Sequence, residues 1–196
     1  MTERLICNNN CHVDIYRNWC RSDMQEILFN ICVLECVEQF PVLVYNRESL
    51  QPRNSRVFAD PGISGQKYSN RTIKASPWIP EFEAVRDAVT SAEFRPNFVL
   101  INGYVRENDN VGFHRDKGLM DPNQFVVTLS LGSSRRFVYQ MYDDHSIKVE
   151  TVLHSGDLVA MYGDTNKIWE HSIPKPRKNE PKEPRYSLTF RHIANN

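Results

Sequence analysis

The sequence predicts an α+β fold in a single domain, on three observations. Apolar residues recur at helical spacing in the first half of the chain, the spacing changes to alternation near Asn97, and turn-forming residues cut the alternating half into short segments. Helices in front of many short strands give a layered α+β arrangement with a sandwich or barrel behind.

Taken in order, Ser22 followed by Gln25 has the pattern of a capping box, and Ile27, Leu28, Ile31, Val33, Leu34 and Val37 follow it. Residues 1–40 thus read as a helical N-terminal extension. A second helix is announced by Ser76-Pro77-Trp78-Ile79-Pro80, after which Phe82, Val85 and Val89 recur at helical spacing, an apolar stripe suited to packing on a sheet. From Asn97 onward, strands are expected at 97–105, 125–131, 136–141, 147–153, 157–162, 167–173 and 185–193. Gly132-Ser133-Ser134, Asp143-Asp144 and Ser155-Gly156-Asp157 supply turns between them. Pro176, Pro181 and Pro184, interleaved with Lys175, Arg177, Lys178 and Lys182, make 175–184 a loop between strands.

Bulk composition is permissive. The 196 residues carry 24 basic and 24 acidic side chains, so no overall field draws the protein to nucleic acid or membrane and any such contact rests on local patches. No apolar run of about 18 residues occurs, and the N-terminus lacks a secretory pattern. The expectation is a soluble, intracellular monomer with no membrane contact, placed in the nucleus rather than the cytoplasm by the basic run 175–178. The five cysteines, an odd number without an export signal, read as reduced thiols. Cys7, Cys11, His12, Cys32 and Cys36 invite a zinc reading, but irregular spacing favours buried free thiols.

Alternation assigns faces. Asn102 and Tyr104 point together, opposite Val99, Ile101 and Val105; Arg185, Ser187, Thr189 and Arg191 share one face, with Tyr186, Leu188 and Phe190 on the other. A twice-cationic face backed by apolar residues is either solvent-exposed or binds an anion. Arg185 and Arg191 are separated by roughly 20 Å of backbone, so they suit opposite ends of a dicarboxylate rather than one end. His114 and Asp116 also share a face and can share a metal. His145, His154 and His171 are all open as a third ligand; of these, His171 alone follows an apolar strand segment. Two imidazoles and a carboxylate would bind non-haem Fe(II) and leave positions open for an organic acid and O₂.

Taken together, Asn102-x-Tyr104, His114-x-Asp116, His171 and Arg185-Tyr186-Ser187-Leu188-Thr189-Phe190-Arg191 resemble the AlkB family of Fe(II)- and 2-oxoglutarate-dependent nucleic-acid demethylases, closest to its duplex-DNA repair branch. The resemblance implies a double-stranded β-helix, or jelly roll, at 97–193, with N-terminal helices packed on the sheet and a nucleotide-recognition lid at 41–75. It implies His114, Asp116 and His171 as ligands of Fe(2+), with Arg185 and Tyr104 at the distal carboxylate of 2-oxoglutarate, Asn102 and Arg191 nearer its metal-chelating end, and Ser187 among the cosubstrate-binding residues. The implied reaction, with O₂ as cosubstrate, couples decarboxylation of 2-oxoglutarate to succinate with hydroxylation of an N-methyl group on alkylated DNA or RNA and release of formaldehyde.

By the same resemblance, Gln66-Lys67-Tyr68-Ser69-Asn70 is a lid strand whose Tyr68 stacks on a flipped base. Val44 and Tyr45 would form an apolar probing tip, and Arg53 would grip the strand. As plain structure, Tyr68 is an ordinary strand tyrosine and Val44-Tyr45 a core strand.

Two departures stand out. Ser187 occupies a position where the family usually has asparagine, which predicts weaker 2-oxoglutarate binding. Lys117-Gly118 replaces the acidic pair that usually follows His-x-Asp; a lysine cannot accept a hydrogen bond from an exocyclic amine. Either Lys117 faces solvent or phosphate and Asp121 substitutes, or preference shifts to bases with an exocyclic carbonyl. Two other readings compete: a 2-oxoglutarate-dependent hydroxylase or demethylase of a protein or small molecule, and a metal-free jelly-roll binding module.

Overall fold

A computed structural model of the protein describes residues 1–44, 47–68, 71–116 and 125–193, with the side chains at 43, 44, 68 and 71 also outside the described set. In chain order the elements are β1 (Thr2–Asn8), β2 (Cys11–Tyr16), α1 (Ser22–Glu35), β3 (Pro41–Val44), β4 (Arg47–Leu50), β5 (Asn54–Ala59), β6 (Gly65–Tyr68), β7 (Arg71–Ser76) and α2 (Pro80–Val89). They continue with β8 (Phe98–Tyr104), β9 (Val111–His114), β10 (Val126–Gly132), β11 (Arg135–Met141), β12 (Lys148–Leu153), β13 (Leu158–Gly163), α3 (Thr165–Ile168), β14 (Trp169–Ile173) and β15 (Arg185–Arg191).

Two sheets carry the fold: a large one ordered β1-β2-β13-β10-β15-β8-β5-β7-β6 and a small one ordered β12-β11-β14-β9. They face each other across an apolar layer that includes Val13, Tyr104, Val126, Tyr139, Trp169 and Ile173. The other face of the large sheet is covered by the helices: Leu28, Cys32 and Cys36 lie with α1, Phe82 and Val85 with α2, and they join Val99, Ile101, Leu129, Leu188 and Phe190 in one cluster. The helices therefore wall off the back of the sheet, and the polar chemistry is confined to its front. Removing a ring such as Phe190, buried and stacked near Trp78, would cost about 3–5 kcal/mol.

Three expectations need correcting. The first 16 residues are strands: β1 and β2 form a hairpin around Asn9 and Asn10, whose φ values of 46° and 59° suit the tight turns that match strand twist. Cys11, Val13 and Ile15 alternate inward on β2, which pairs with β13. Secondly, α1 begins at Ser22 but no side chain caps it; Gln25 Nε2 donates instead to the Cys20 carbonyl at 2.7 Å. Thirdly, the 41–75 span is not all lid. Its Asn54–Ala59 stretch is β5, a largely buried strand paired with β8 along six residues, because Val57 and Phe58 are needed by the core clusters on the two faces of the sheet.

Outside β5, the span includes the β3–β4 hairpin, whose β4 strand is exposed, and the β6–β7 hairpin, which joins the sheet edge by a short parallel pairing of β7 with β5. All five cysteines are free; Cys7 is exposed and the other four are buried. Among the described residues, no helix is long and apolar enough to cross a membrane.

Candidate metal centre

A cavity of about 260 Å³ lies between the two sheets. The large sheet contributes Asn102 and Tyr104 from β8, Thr128 from β10, and Arg185, Ser187, Thr189 and Arg191 from β15. The alternation rule put Asn102 with Tyr104, and Arg185 with Ser187, Thr189 and Arg191; both sets look into the cavity rather than into bulk solvent, and every residue of β15 is buried. Register fixes the rungs, with Arg185 opposite Tyr104 and Ser187 opposite Asn102.

The small sheet brings the two histidines together. His171 on β14 pairs directly with His114 at the end of β9, and their ring centroids are 4.4 Å apart. Asp116 follows two residues beyond His114. Its Oδ1 lies 4.0 Å from His114 Nε2, and its Oδ2 lies 3.9 Å from His171 Nε2. The three donor atoms fall within 4.8 Å of one another. A metal at ordinary nitrogen and oxygen bond lengths of about 2 Å fits between them. His145 is exposed, and His154 interacts with Ser134 on the surface, so pairing register selects His171 as the third ligand.

The protonation states suit metal capture. His114 Nδ1 sits 2.9 Å from the Gly112 carbonyl, an acceptor only, so Nδ1 donates there and Nε2 is the ring nitrogen on the side of Asp116. Burial, with His114 adding to it, pushes His171 down to about 3, leaving a neutral imidazole. Burial alone would raise Asp116, but Arg191, His171 and His114 hold its carboxyl below the usual carboxylate range. Arg191 Nη2 donates to Asp116 Oδ1 at 2.6 Å in a pair buried from both sides.

Arg185 behaves differently. Its Nη2 donates to Ser130 Oγ at 2.9 Å, while Nε and Nη1 are buried with no partner. Burial lowers it to about 10, so it remains a cation at neutral pH. Its guanidinium carbon is 5.2 Å from the Tyr104 ring centre, and Arg135 lies 5.5 Å from the same ring. Buried donors without acceptors are costly, and a carboxylate entering the cavity would satisfy this fork. The donor set fits Fe(II) at one end and an organic acid reaching the other.

Against this geometry, the sequence profile of the 2OG-Fe(II) oxygenase superfamily matches residues 18–191. The chain belongs to that superfamily. Its cofactors are therefore Fe(2+) and 2-oxoglutarate, and the trio and the open arginine fork are where this chain could hold them. Within the superfamily, the chain sits with the AlkB group. It is 35% identical over 161 residues to the DNA oxidative demethylase ALKBH2 of Homo sapiens, covering 78% of this chain and 60% of the relative. It is 29% identical over 160 residues to the alpha-ketoglutarate-dependent dioxygenase alkB homolog 3 of Homo sapiens, covering 75% of this chain and 54% of the relative. The chain thus spans a little over half the length of these curated relatives. The structure titled "The structure of OsALKBH1" superposes with a TM-score of 0.67 at 18% identity, covering 97% of this chain and 100% of that one, which establishes the jelly-roll fold.

The remaining candidates divide. Arg53 lines the cavity, and its Nε donates to Asn102 Oδ1 at 3.0 Å. From β6, Gln66 and Lys67 line the cavity; the backbone of Tyr68 continues that strand, and its side chain is outside the described set. Ser69, Tyr45 and Lys117 are outside the described residues, as are Gly118 and Asp121, and so is the side chain of Val44. Sequence reasoning missed Ser130, which orients Arg185, and Arg135, buried behind Tyr104 and donating to the Asp109 and Pro174 carbonyls. Neither belongs to a short motif, so only strand pairing could have exposed them.

Proposed function

We propose that the protein oxidatively demethylates N-alkylated bases in nucleic acid, DNA rather than RNA, coupled to decarboxylation of 2-oxoglutarate to succinate with release of formaldehyde. The observation that carries this reading is the shared cavity: a ligand trio with 3.9 Å and 4.0 Å donor separations at one end and a buried guanidinium with two open donors at the other. The names of the relatives, DNA oxidative demethylases among them, supply the substrate class.

When bound, Fe(II) and 2-oxoglutarate supply the oxidising chemistry; the chain supplies geometry and a dry site. His114, Asp116 and His171 hold the metal. Arg185, oriented by Ser130 and backed by Tyr104, takes the distal carboxylate, with Asn102, Ser187 and Arg191 along the path to the metal. Phe137, Tyr139 and Leu153 wall the cavity on the small-sheet side and exclude water. Gln66 and Lys67 of β6 line the cavity, which supports Tyr68, next in that strand, as the stacking aromatic for a flipped base, and Arg53, also lining the cavity, as a contact to the strand. The names of the relatives favour a base over the protein or small-molecule substrate of the competing reading. A monomer acting in the nucleus is consistent with a DNA substrate and the exposed basic run 175–178.

The test is anaerobic reconstitution with Fe(II) and 2-oxoglutarate, admission of air, and mass spectrometry of oligonucleotides carrying 3-methylcytosine or 3-methylthymine. Replacement of methyl by hydrogen on either is the expected result. Succinate formation without any change in either oligonucleotide would move the substrate to another class. Turnover favouring 3-methylcytosine would argue against a carbonyl-bearing base.

A further inference from the structure

Asp116 is the one member of the metal trio that lies on no strand. The ladder between β9 and β14 stops at His114 and His171. Two residues later the Asp116 peptide groups are nevertheless paired: its N–H donates to Asn166 Oδ1 at 2.8 Å, and Asn166 Nδ2 donates to its carbonyl at 2.8 Å. Both residues are buried. The asparagine amide carries one acceptor and a donor in peptide-like geometry, so it stands in for the neighbouring strand that β14 has ceased to provide.

Asn166 is itself held from the N-terminal hairpin. It sits in α3, a single turn whose preceding residue Asp164 donates its N–H to the Asn10 carbonyl at 2.8 Å and accepts from Asn10 Nδ2 at 2.9 Å. Thr165 is buried, accepts the His12 N–H at 2.7 Å, and has the Tyr162 carbonyl 2.6 Å from its hydroxyl. Gly163, at φ +68°, admits this approach, since a Cβ there would lie 2.0 Å from the Asn10 carbonyl oxygen. The same turn receives Arg115, whose Nη1 donates to the Lys167 carbonyl at 3.2 Å.

We propose that Asn166 is a positioning residue for the metal centre, setting where the Asp116 carboxylate points, and that α3 transmits this restraint from the β1–β2 hairpin. The inference rests on the metal reading of the trio. Arg191 fixes Oδ1 from the large sheet, on the side of His114 Nε2, and Asn166 fixes the main chain beneath it, so the free Oδ2 is left 3.9 Å from His171 Nε2. Displacement of the main chain by a fraction of an ångström to an ångström takes that oxygen out of coordination reach.

The test uses the whole chain, stripped by chelator and titrated anaerobically with Co(II), whose visible absorption reports ligand geometry. Asn166→Leu removes both hydrogen bonds at similar volume; Thr165→Val removes the hydroxyl that seats the turn. Asn166→Leu is expected to weaken Co(II) binding by about 10- to 100-fold, as loss of partners that orient ligands does, with altered absorption bands; Thr165→Val gives a smaller change of the same kind. Co(II) affinity within about twofold of wild type and an unchanged spectrum in Asn166→Leu would overturn the proposal, even if melting of the metal-free protein were lowered, because a purely structural bond moves melting alone. If Asn166→Leu does not fold, the same outcome in Thr165→Val overturns it. Failure of the wild-type chain to take up Co(II) would instead refute the metal reading itself.

Discussion

Arg191 and Arg185 lie on one face of one strand, both buried, yet they sit in opposite electrostatic situations. Arg191 at the metal end meets a carboxylate within the protein: Asp116 accepts from it at 2.6 Å. Arg185 at the acid end meets no carboxylate: Ser130 Oγ accepts from it, Tyr104 lies alongside, and Nε and Nη1 have no acceptor within hydrogen-bond geometry. The difference teaches that Arg191 finds its anion within the fold, while Arg185 is built as half of an ion pair whose anion comes from outside. Burying an unpaired charge is costly, and the site retains that cost in the acid-free protein.

The sharpest way to break the comparison is Asp116→Ala. It removes a metal ligand and leaves Arg191 buried without its anion, so metal uptake should be lost and the metal-free protein destabilised by about 3–5 kcal/mol, measurable by Co(II) titration and denaturant unfolding. Arg185→Met should separate these two effects. It removes an unpaired charge, so stability of the metal-free protein stays level or rises, while the KM for 2-oxoglutarate increases about 10- to 100-fold, the equivalent of one hydrogen bond to a charged group. A large loss of stability in Arg185→Met would show that the guanidinium is satisfied within the fold and sink the contrast.

Acid sharpens the same contrast. Burial holds His171 at about 3, below its ordinary value of 6.5. Between those values the unfolded chain binds a proton that the folded chain refuses, so the stability contribution is intact above pH 6.5 and is lost as pH falls towards 3. Chelator-treated protein should therefore lose stability over this window, and His171→Phe should flatten the slope. Arg185, at about 10, titrates far above the window and adds nothing to it. The smallest expected effect is Ser130→Ala, which leaves Arg185 charged but unsteered: KM for 2-oxoglutarate rises by about tenfold or less, with no change in Co(II) affinity.

Much of this site was legible because it is written in alternation. The period of two put Asn102 with Tyr104 on one face of 97–105, and Arg185, Ser187, Thr189 and Arg191 on one face of 185–193, and it let His114 and Asp116 point the same way; strand pairing then joined the first two sets. The N-terminal hairpin is equally periodic, with Asn9-Asn10 before Cys11, Val13 and Ile15, but its alternation spans only six residues beside the longer helical pattern that begins at Ser22.

The sequence by itself therefore determined which side chains of one strand share a face, where the two long helices lie, and, through its motifs, the chemistry of the ligand set. The tertiary structure decided which histidine completes the trio, that Arg191 rather than Arg185 neutralises Asp116, and that Asn166 holds a ligand 50 residues away in sequence. The physical reason is one of range. Alternation is a property of neighbouring residues on one strand, whereas register between strands is set by the packing of both sheets together, and no local pattern encodes it.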